Sequence, residues 1–440
     1  GQYSAEGAEL CEGCPAGTVS EWNGAMSPGE NNCTNSWLPG IVISGKNGDK
    51  PSSPRWGSSF VKWNDKLIIF GGYQYSGGYK DGTYVLDLIT WKWGFSDITG
   101  DKPQARYLSS AVAYNNKMVI FGGYKYGGTR FNDLWYLDLD GATWNRPNTA
   151  GTKPSARCGH SAVLYEKFMI VFGGATSTEY FNDVHILNLN QSLWAWSKQT
   201  ISQTSPVGRL CHSAVIFDSQ MIVFGGQRRD YESRNDVHVL DLQRWVWFQP
   251  SITGTKPTER SGHSAIVRHR TMFIFGGRHS SRNNLMNDVH MLDLKSWSWK
   301  KLHVEGVNPG PRAFFSMVFS QNKLVIFGGM DEEKEEFDDV RALHLCQPCT
   351  TCSAGKWSAA KASNCTDCAA GTYSGPSGSG ECYDCDAGKW SIISAGSCTN
   401  CSVGKWSAAK ASNCTDCAAG TYSGSSGSGE CYNCDAGKWG

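Results

Sequence analysis

Lys66-Leu67-Ile68-Ile69-Phe70-Gly71-Gly72 is an apolar run closed by a glycine pair. Its ending returns at Phe121-Gly122-Gly123, Phe172-Gly173-Gly174, Phe224-Gly225-Gly226, Phe275-Gly276-Gly277 and Phe327-Gly328-Gly329. Successive copies lie 51 or 52 residues apart. A fixed period of this length marks a repeat architecture, in which each unit buries its apolar face against its neighbours.

Working outward, each copy is preceded by an arginine, at Arg55, Arg106, Arg157, Arg209, Arg260 and Arg312, and then by Ser-Ala-Val-like residues. After the glycines come a variable loop, an Asn-Asp entry to a further strand (Asp133, Asp183, Asp236, Asp288) and a Leu-Asp-Leu exit such as Leu137-Asp138-Leu139. A tryptophan stands 13 residues before the next arginine, at Trp93, Trp144, Trp196, Trp247 and Trp299. Four strands per period, with glycine pairs where a side chain would obstruct a neighbouring backbone, describe a blade of a β-propeller.

These motifs closely resemble the kelch family over residues 54–345. The resemblance implies an all-β, six-bladed propeller in which the glycine pairs, the arginines and the large aromatics are architectural. Blade one departs with Asp81-Gly82 at the Asn-Asp entry, and blade six carries Phe315 where its neighbours have His160, His212 and His263. Blade six also lacks a fourth strand, since Leu345 runs straight into Cys346. An open edge invites aggregation, so the stretch Trp37 to Ile43 is expected to supply the missing strand. The propeller then occupies residues 37–345. It interrupts a linear array of cysteine-rich modules at 1–36 and 346–440, and hangs from that stalk as a side domain.

The chain has 440 residues and 18 cysteines, thirteen of them between Cys346 and Cys434. The recurring unit is C-x2-C-x2-G-x-[Tyr or Trp]-Ser, followed by Gly, Ser and Ala and the next C-x2-C. The pairing that closes each loop joins the second cysteine of one pair to the first of the next: Cys14 to Cys33, Cys352 to Cys365, Cys368 to Cys382, Cys385 to Cys398, Cys401 to Cys414 and Cys417 to Cys431. A disulfide closing a loop of about 14 residues contributes roughly 3 kcal/mol in the entropic account. Tyr373, Tyr422, Trp357, Trp390 and Trp406 are read as one aromatic per unit packing over a disulfide. Zinc is the competing reading of the C-x2-C pairs; the Ser, Thr and Gly filling favours secretion.

Residues 355–390 recur almost letter for letter at 404–439, a register of 49 residues typical of spacers and fibres. Gly1-Gln2-Tyr3-Ser4 repeats the pattern of Gly371-Thr372-Tyr373-Ser374, which gives Cys11 an expected partner ahead of Gly1 and makes the chain an excerpt of a longer protein. Ser36 stands where the second cysteine of the Cys33 pair belongs, and Cys346 is a surplus. Glycosylation sequons occur at Asn32, Asn190, Asn364, Asn400 and Asn413, four of them with a cysteine in the middle position. The units resemble the ephrin-receptor-like and tumour-necrosis-receptor-like repeats of extracellular proteins. Their combination with kelch blades is similar to large surface proteins and flagellar-hair components of protists and algae.

Lys and Arg number 41 against 40 Asp and Glu, a balance that argues against nucleic acid as a partner. No apolar run approaches the roughly 18 residues of a membrane helix, so no membrane contact is expected of this segment. His160, His212 and His263 recur in three consecutive blades, as a metal ring would, but they belong to the blade motif Arg-x-x-His-Ser-Ala. His185, His238 and His290 share a position also filled by Tyr84, Trp135 and Arg341 and are read as solvated surface. Cys158 and Cys211 are read either as bonded to each other across blades three and four or as buried thiols. A copper oxidase on the kelch scaffold would need more than the matched Cys158 and Tyr107, so neither metal nor cofactor is expected and no enzyme activity is assigned.

The loops after the glycine pairs differ most between repeats. Tyr73, Tyr75, Tyr79, Tyr124 and Tyr126 lie in loops one and two, with Lys125 and Arg130. Arg228, Arg229, Arg234, Arg278 and Arg282 lie in four and five, and acidic Glu333, Glu335 and Glu336 lie in loop six. Tyrosine and arginine on a rigid scaffold make binding faces. The expected partners are other copies of the chain, fellow filament or surface proteins, or glycans. Three function classes follow: an extracellular structural or adhesive protein, a receptor ectodomain, and last a secreted oxidase.

Overall fold

The computed structural model describes residues 18–20, 35–38, 54–94, 98–201, 205–280, 284–345, 349–358, 365–375, 379–435 and 438. All of the regular structure among them is β, and none of it is a helix long and apolar enough to cross a membrane. The chain divides into two compact units, Asn35–Leu345 on one hand and Gly1–Thr34 with Cys346–Gly440 on the other.

The first unit is a six-bladed propeller. Blade one is the antiparallel meander Ser59–Trp63, Lys66–Phe70, Thr83–Asp87 and Trp93–Gly94, and the next four blades repeat it. The second strand of each blade reads as an unbroken apolar run because both its faces are covered, and in Lys66–Phe70 every residue after Lys66 is buried. Its side chains alternate: Ile68 and Phe70 pack into the core shared with blade two, Leu67 and Ile69 into the core shared with blade six.

Blade six takes three strands from the end of the unit, Ser316–Ser320, Lys323–Phe327 and Val340–His344, and its fourth, Ser36–Trp37, from the beginning. Ser36 and Trp37 pair antiparallel with His344 and Leu343, and the Leu38 N–H donates to Ala342 O at 2.9 Å. The expected closing strand is present; residues 39–43 lie outside the described residues.

The glycine pairs clamp blade to blade. The second glycine of each pair donates its N–H to the arginine carbonyl of the next blade, from Gly72 to Arg106 O at 2.9 Å round to Gly329 to Arg55 O at 3.0 Å. Gly72 has φ +100°, and a Cβ on Gly71 would sit 2.6 Å from Arg106 O, so no other residue fits. The linkers between blades also cover the outer edges. Thr149–Gly151 runs parallel to the outer strand of blade three, and Thr253–Gly254 does the same in blade five.

In the second unit, Thr18–Ser20 pairs antiparallel with Cys349–Thr351, so chain from both sides of the propeller meets in one sheet. Five disulfides follow, Cys352–Cys365, Cys368–Cys382, Cys385–Cys398, Cys401–Cys414 and Cys417–Cys431. Cys14 and Cys33 lie outside the described residues. The modules are not beads held by disulfides alone. The serine that ends each C-x2-C-x2-G-x-[Tyr or Trp]-Ser motif is buried, and Ser374, Ser391, Ser407 and Ser423 donate their hydroxyls to carbonyls 18 or 19 residues back, at Lys356, Thr372, Lys389 and Lys405. Backbone bonds such as Cys401 N–H to Gly388 O at 2.8 Å complete a continuous relay. This is a solenoid, whose stability is a sum of nearest-neighbour terms. Of the five aromatics, Tyr373 and Tyr422 face Tyr383 and Tyr432 across their hairpins.

Candidate binding face

The buried arginines hold the frame on which the loops stand. Arg157 donates to Gly173 O at 2.9 Å and to both carboxylate oxygens of Asp183, at 2.6 and 3.1 Å. The same fork recurs at Arg106–Asp133, Arg209–Asp236, Arg260–Asp288 and Arg312–Asp339. In blade one Gly82 leaves no carboxylate, and Arg55 lies 4.6 Å from the Tyr84 ring centroid instead.

His185, His238 and His290 are not solvated. Each Nε2 lies 2.9 to 3.0 Å from the aspartate of its blade, and His185 and His290 are buried. Each caps the ion pair of its blade, as Trp135 does in blade two by donating its Nε1–H to Asp133 Oδ2 at 2.8 Å, and a strand-by-strand comparison does not reveal this. Burial pushes the Asp183 carboxyl up, but hydrogen bonds from His185 and Arg157 outweigh it and hold the group well below the usual carboxylate range.

His160, His212 and His263 are bonded to serines of the neighbouring blade. Their Nε2 atoms meet Ser110 at 2.7 Å, Ser161 at 2.8 Å and Ser213 at 2.9 Å, each in the preceding blade. Burial, helped by Arg157 and Arg260, depresses His160 and His263 to about 3. Each also packs edge-on against a motif phenylalanine, and Phe315 takes the same place against Phe275 at 5.3 Å. Among the described residues no group of three or more His, Cys, Asp or Glu could hold a metal ion. The serines and histidines line an axial cavity of about 550 Å³.

At one mouth of this cavity the residue after each arginine bridges the residue after each glycine pair: Trp56 to Tyr73, Tyr107 to Tyr124, Cys158 to Ala175, Leu210 to Gln227, Ser261 to Arg278 and Ala313 to Met330. The ring is uneven. On blades six, one and two it is aromatic, with Trp56 at its centre, 5.0 Å from Tyr107, 5.3 Å from Phe314 and 5.5 Å from Tyr73. Tyr73 contacts Tyr75 and Tyr79, and Tyr124 joins through Tyr79 and Tyr107. Loops one and two are short hairpins, Tyr73–Gln74 with Gly78–Tyr79 and Tyr124–Lys125 with Thr129–Arg130. Of the tyrosines singled out in the sequence, four belong to this cluster and Tyr126 stands 81% exposed. Sequence reasoning misses Trp56 and Phe314, although a place just after the arginine, or one further on, marks the equivalent ring residues of every blade.

The charged loops are partly committed within the molecule. Arg278 stacks over Phe314 at 5.0 Å, Arg130 over Tyr124 at 5.1 Å and Lys334 over Tyr75 at 5.8 Å. Arg234 pairs with Asp230 and Glu232 of its own loop. Glu336 accepts the Tyr75 N–H at 2.7 Å, and Glu332 accepts the Leu285 N–H at 2.9 Å. Arg229, Glu333 and Glu335 stay exposed, Arg228 is half-buried, and Arg282 lies outside the described residues. Cys158 and Cys211 are free thiols; burial pushes both up, Cys211 to about 12. The sequons at Asn190, Asn400 and Asn413 are exposed, and those at Asn32 and Asn364 lie outside the described residues.

A six-bladed propeller with this clamp and these arginine forks is a kelch-repeat architecture. The profile of the KLHDC2/KLHL20/DRC7 Kelch-repeats domain matches residues 34–226 and 194–374, and the chain belongs to that family. It is 32% identical over 213 residues to acyl-CoA-binding domain-containing protein 4 of Arabidopsis thaliana, covering 46% of this chain and 31% of that protein. Against Kelch domain-containing protein 3 of Mus musculus the identity is 31% over 297 residues, covering 62% of this chain and 76% of the relative. The chain therefore spans about a third of the first relative and three quarters of the second. The solved structure of YjhT superposes with a TM-score of 0.54 at 15% identity, covering 68% of this chain and 98% of that one, a likeness of fold.

Proposed function

We propose that this chain is a non-enzymatic, extracellular structural or adhesive protein, a component of a cell-surface or flagellar-hair-like filament in which kelch propellers decorate or cross-link cysteine-rich shafts. The observation that carries this reading is the uniform register of the solenoid. Five disulfides with sequence separations of 13 or 14 enclose copies of one module joined by the same hydrogen bonds. Copying one module yields length and resistance to proteases rather than a unique cavity, and consecutive disulfides belong to oxidising, extracellular settings. Sugar on exposed Asn400 and Asn413 would shield such a shaft.

The partners are further copies of this chain or fellow surface proteins. Exposed Arg229 of one copy against exposed Glu333 and Glu335 of another is a heterologous contact, and such contacts propagate unless they close a ring. The aromatic mouth supports a second reading, a receptor ectodomain whose propeller binds a ligand. Electron microscopy of native material at moderate and high salt tests between them. Repeating filaments bearing globular heads are expected, and isolated monomers in both conditions would put the receptor reading ahead.

A further inference from the structure

From the chemistry of the aromatic mouth we infer that the loop face over blades six, one and two is a binding site for an uncharged glycan. The inference rests on the reading of this face as a partner surface and gives that partner a chemical class. Seven rings, those of Trp56, Tyr73, Tyr75, Tyr79, Tyr107, Tyr124 and Phe314, form one network of tilted and edge-on contacts between 4.9 and 6.2 Å. Such packing fixes every ring before a ligand arrives, so little conformational entropy is lost on binding.

Two features select a sugar over an apolar protein segment. The patch is built of aromatic rings, and Met330 meets it at the Tyr75 hydroxyl, 3.9 Å away. Among the described residues, none hydrogen-bonds the hydroxyls of half-buried Tyr73, Tyr79, Tyr107 and Tyr124. Apolar faces edged by free hydroxyls match a pyranose ring, which presents C–H faces and equatorial hydroxyls.

The rim charges are engaged with the rings, and the heparin arm of the test decides between a neutral and an anionic sugar. The rim cations Arg278, Arg130 and Lys334 already lie on Phe314, Tyr124 and Tyr75. Glu336, whose carboxyl is raised by burial, stands among them and bonds the Tyr75 N–H. Each cation lies over a different ring, and Glu336 places one carboxylate acceptor for sugar hydroxyls among them.

The test uses the whole chain on immobilised cellulose, mannan, galactan and xylan, with heparin as the anionic arm. Retention on at least one neutral polysaccharide is expected, unchanged between about 0.05 and about 0.5 M salt. Y79F and Y124F remove only hydroxyls, and Y75A removes an exposed ring; each is expected to weaken that retention at least about fivefold. Quenching of Trp56 emission, isolated by comparison with W56F, reports the same site. Retention on heparin alone, retention indifferent to these substitutions, or no retention on any support would overturn the proposal. Filament formation in the microscope is independent of all of these outcomes, so failure here leaves the structural reading standing.

Discussion

The ring of Trp37 lies against Phe275 with centroids 5.3 Å apart. In every other blade the outer-strand tryptophan meets the motif phenylalanine of the blade before it, from Trp144 on Phe70 at 4.9 Å to Trp93 on Phe327 at 5.1 Å. Trp37 is therefore the sixth member of that series, supplied from the opposite end of the domain. Gly306 faces its carbonyl, 2.7 Å from a would-be Cβ, at the place where Gly100 faces Trp144 O. One tryptophan thus replaces a covalent closure of the ring.

Trp37→Ala is expected to destabilise the propeller by about 3–5 kcal/mol, the range for losing a fully packed aromatic. Trp37 is 3% exposed, as is Trp247. In urea denaturation W37A and W247A should lose similar stability, but only W37A should speed hydrogen exchange along Val340–His344, whose outer neighbour loses its anchor on Phe275. Equal exchange in both variants would show that the ring closes by some other contact.

The sequence does not mark Trp37 as a motif residue, and the reason is physical. The other five tryptophans precede the next arginine by 13 residues, whereas 18 separate Trp37 from Arg55, because this junction is a linker into the first blade. The period that exposes the blades, their glycine clamps and their arginines breaks at that point, so topology locates the strand and register does not name its key side chain. The cysteine pairing was legible because loop length admits few alternatives. The buried histidines were not, since partners such as Asp183 and His185 act through an arginine 26 residues from the aspartate. The aromatic mouth was legible in part. Its tyrosines stand in variable loops, but Trp56 and Phe314 come from short connections whose counterparts in other blades include glycine, leucine, serine and alanine.

Blade one offers a test of the arginine fork. Asp183→Ala should cost about 3–5 kcal/mol, because it strands the fully buried Arg157. Gly82→Asp alone should also destabilise, since its Cβ would lie 2.8 Å from the Tyr84 ring. The pair G82D/Y84H, which copies the Asp-x-His arrangement of blades three to five, should recover the loss. Thermal melts of the single and double variants check this, and additive losses would show that Arg55 has no use for a carboxylate.

The buried histidines set a pH limit. His160 and His263 titrate near 3 in the folded protein against an ordinary 6.5, so the unfolded chain binds protons first as pH falls. Their contribution is complete above about 6.5 and is withdrawn progressively towards 3, at up to about 1.4 kcal/mol per pH unit for each. His160→Phe copies the side chain that blade six already carries as Phe315. It should flatten that slope by one proton while costing about 1–3 kcal/mol at neutral pH through the stranded Ser110 hydroxyl. Urea midpoints from pH 7 down to about 4 would show it; an unchanged slope would mean that His160 is protonated alongside the unfolded chain.

The solenoid makes the sharpest comparison, because two glycines share a conformation and differ in surroundings. Gly388 and Gly404 have φ +84° and +81°, so alanine strains both backbones equally, by roughly 1–2 kcal/mol. A Cβ on Gly404 would meet nothing within 4 Å, whereas one on Gly388 would overlap the carbonyl of Gly427. To admit it, the turn at Gly427 must move away, and the Gly427 N–H would leave Cys401 O, now 2.8 Å distant. The disulfides Cys385–Cys398 and Cys401–Cys414 hold their own loops but do not cross this contact. G388A should therefore accelerate hydrogen exchange at Gly427 and at the neighbouring relay amides, with every disulfide intact. G404A should leave exchange at Gly427 unchanged. Equal behaviour of the two variants would mean that disulfides alone set the spacing of the modules and that the hydrogen-bond relay is incidental to it.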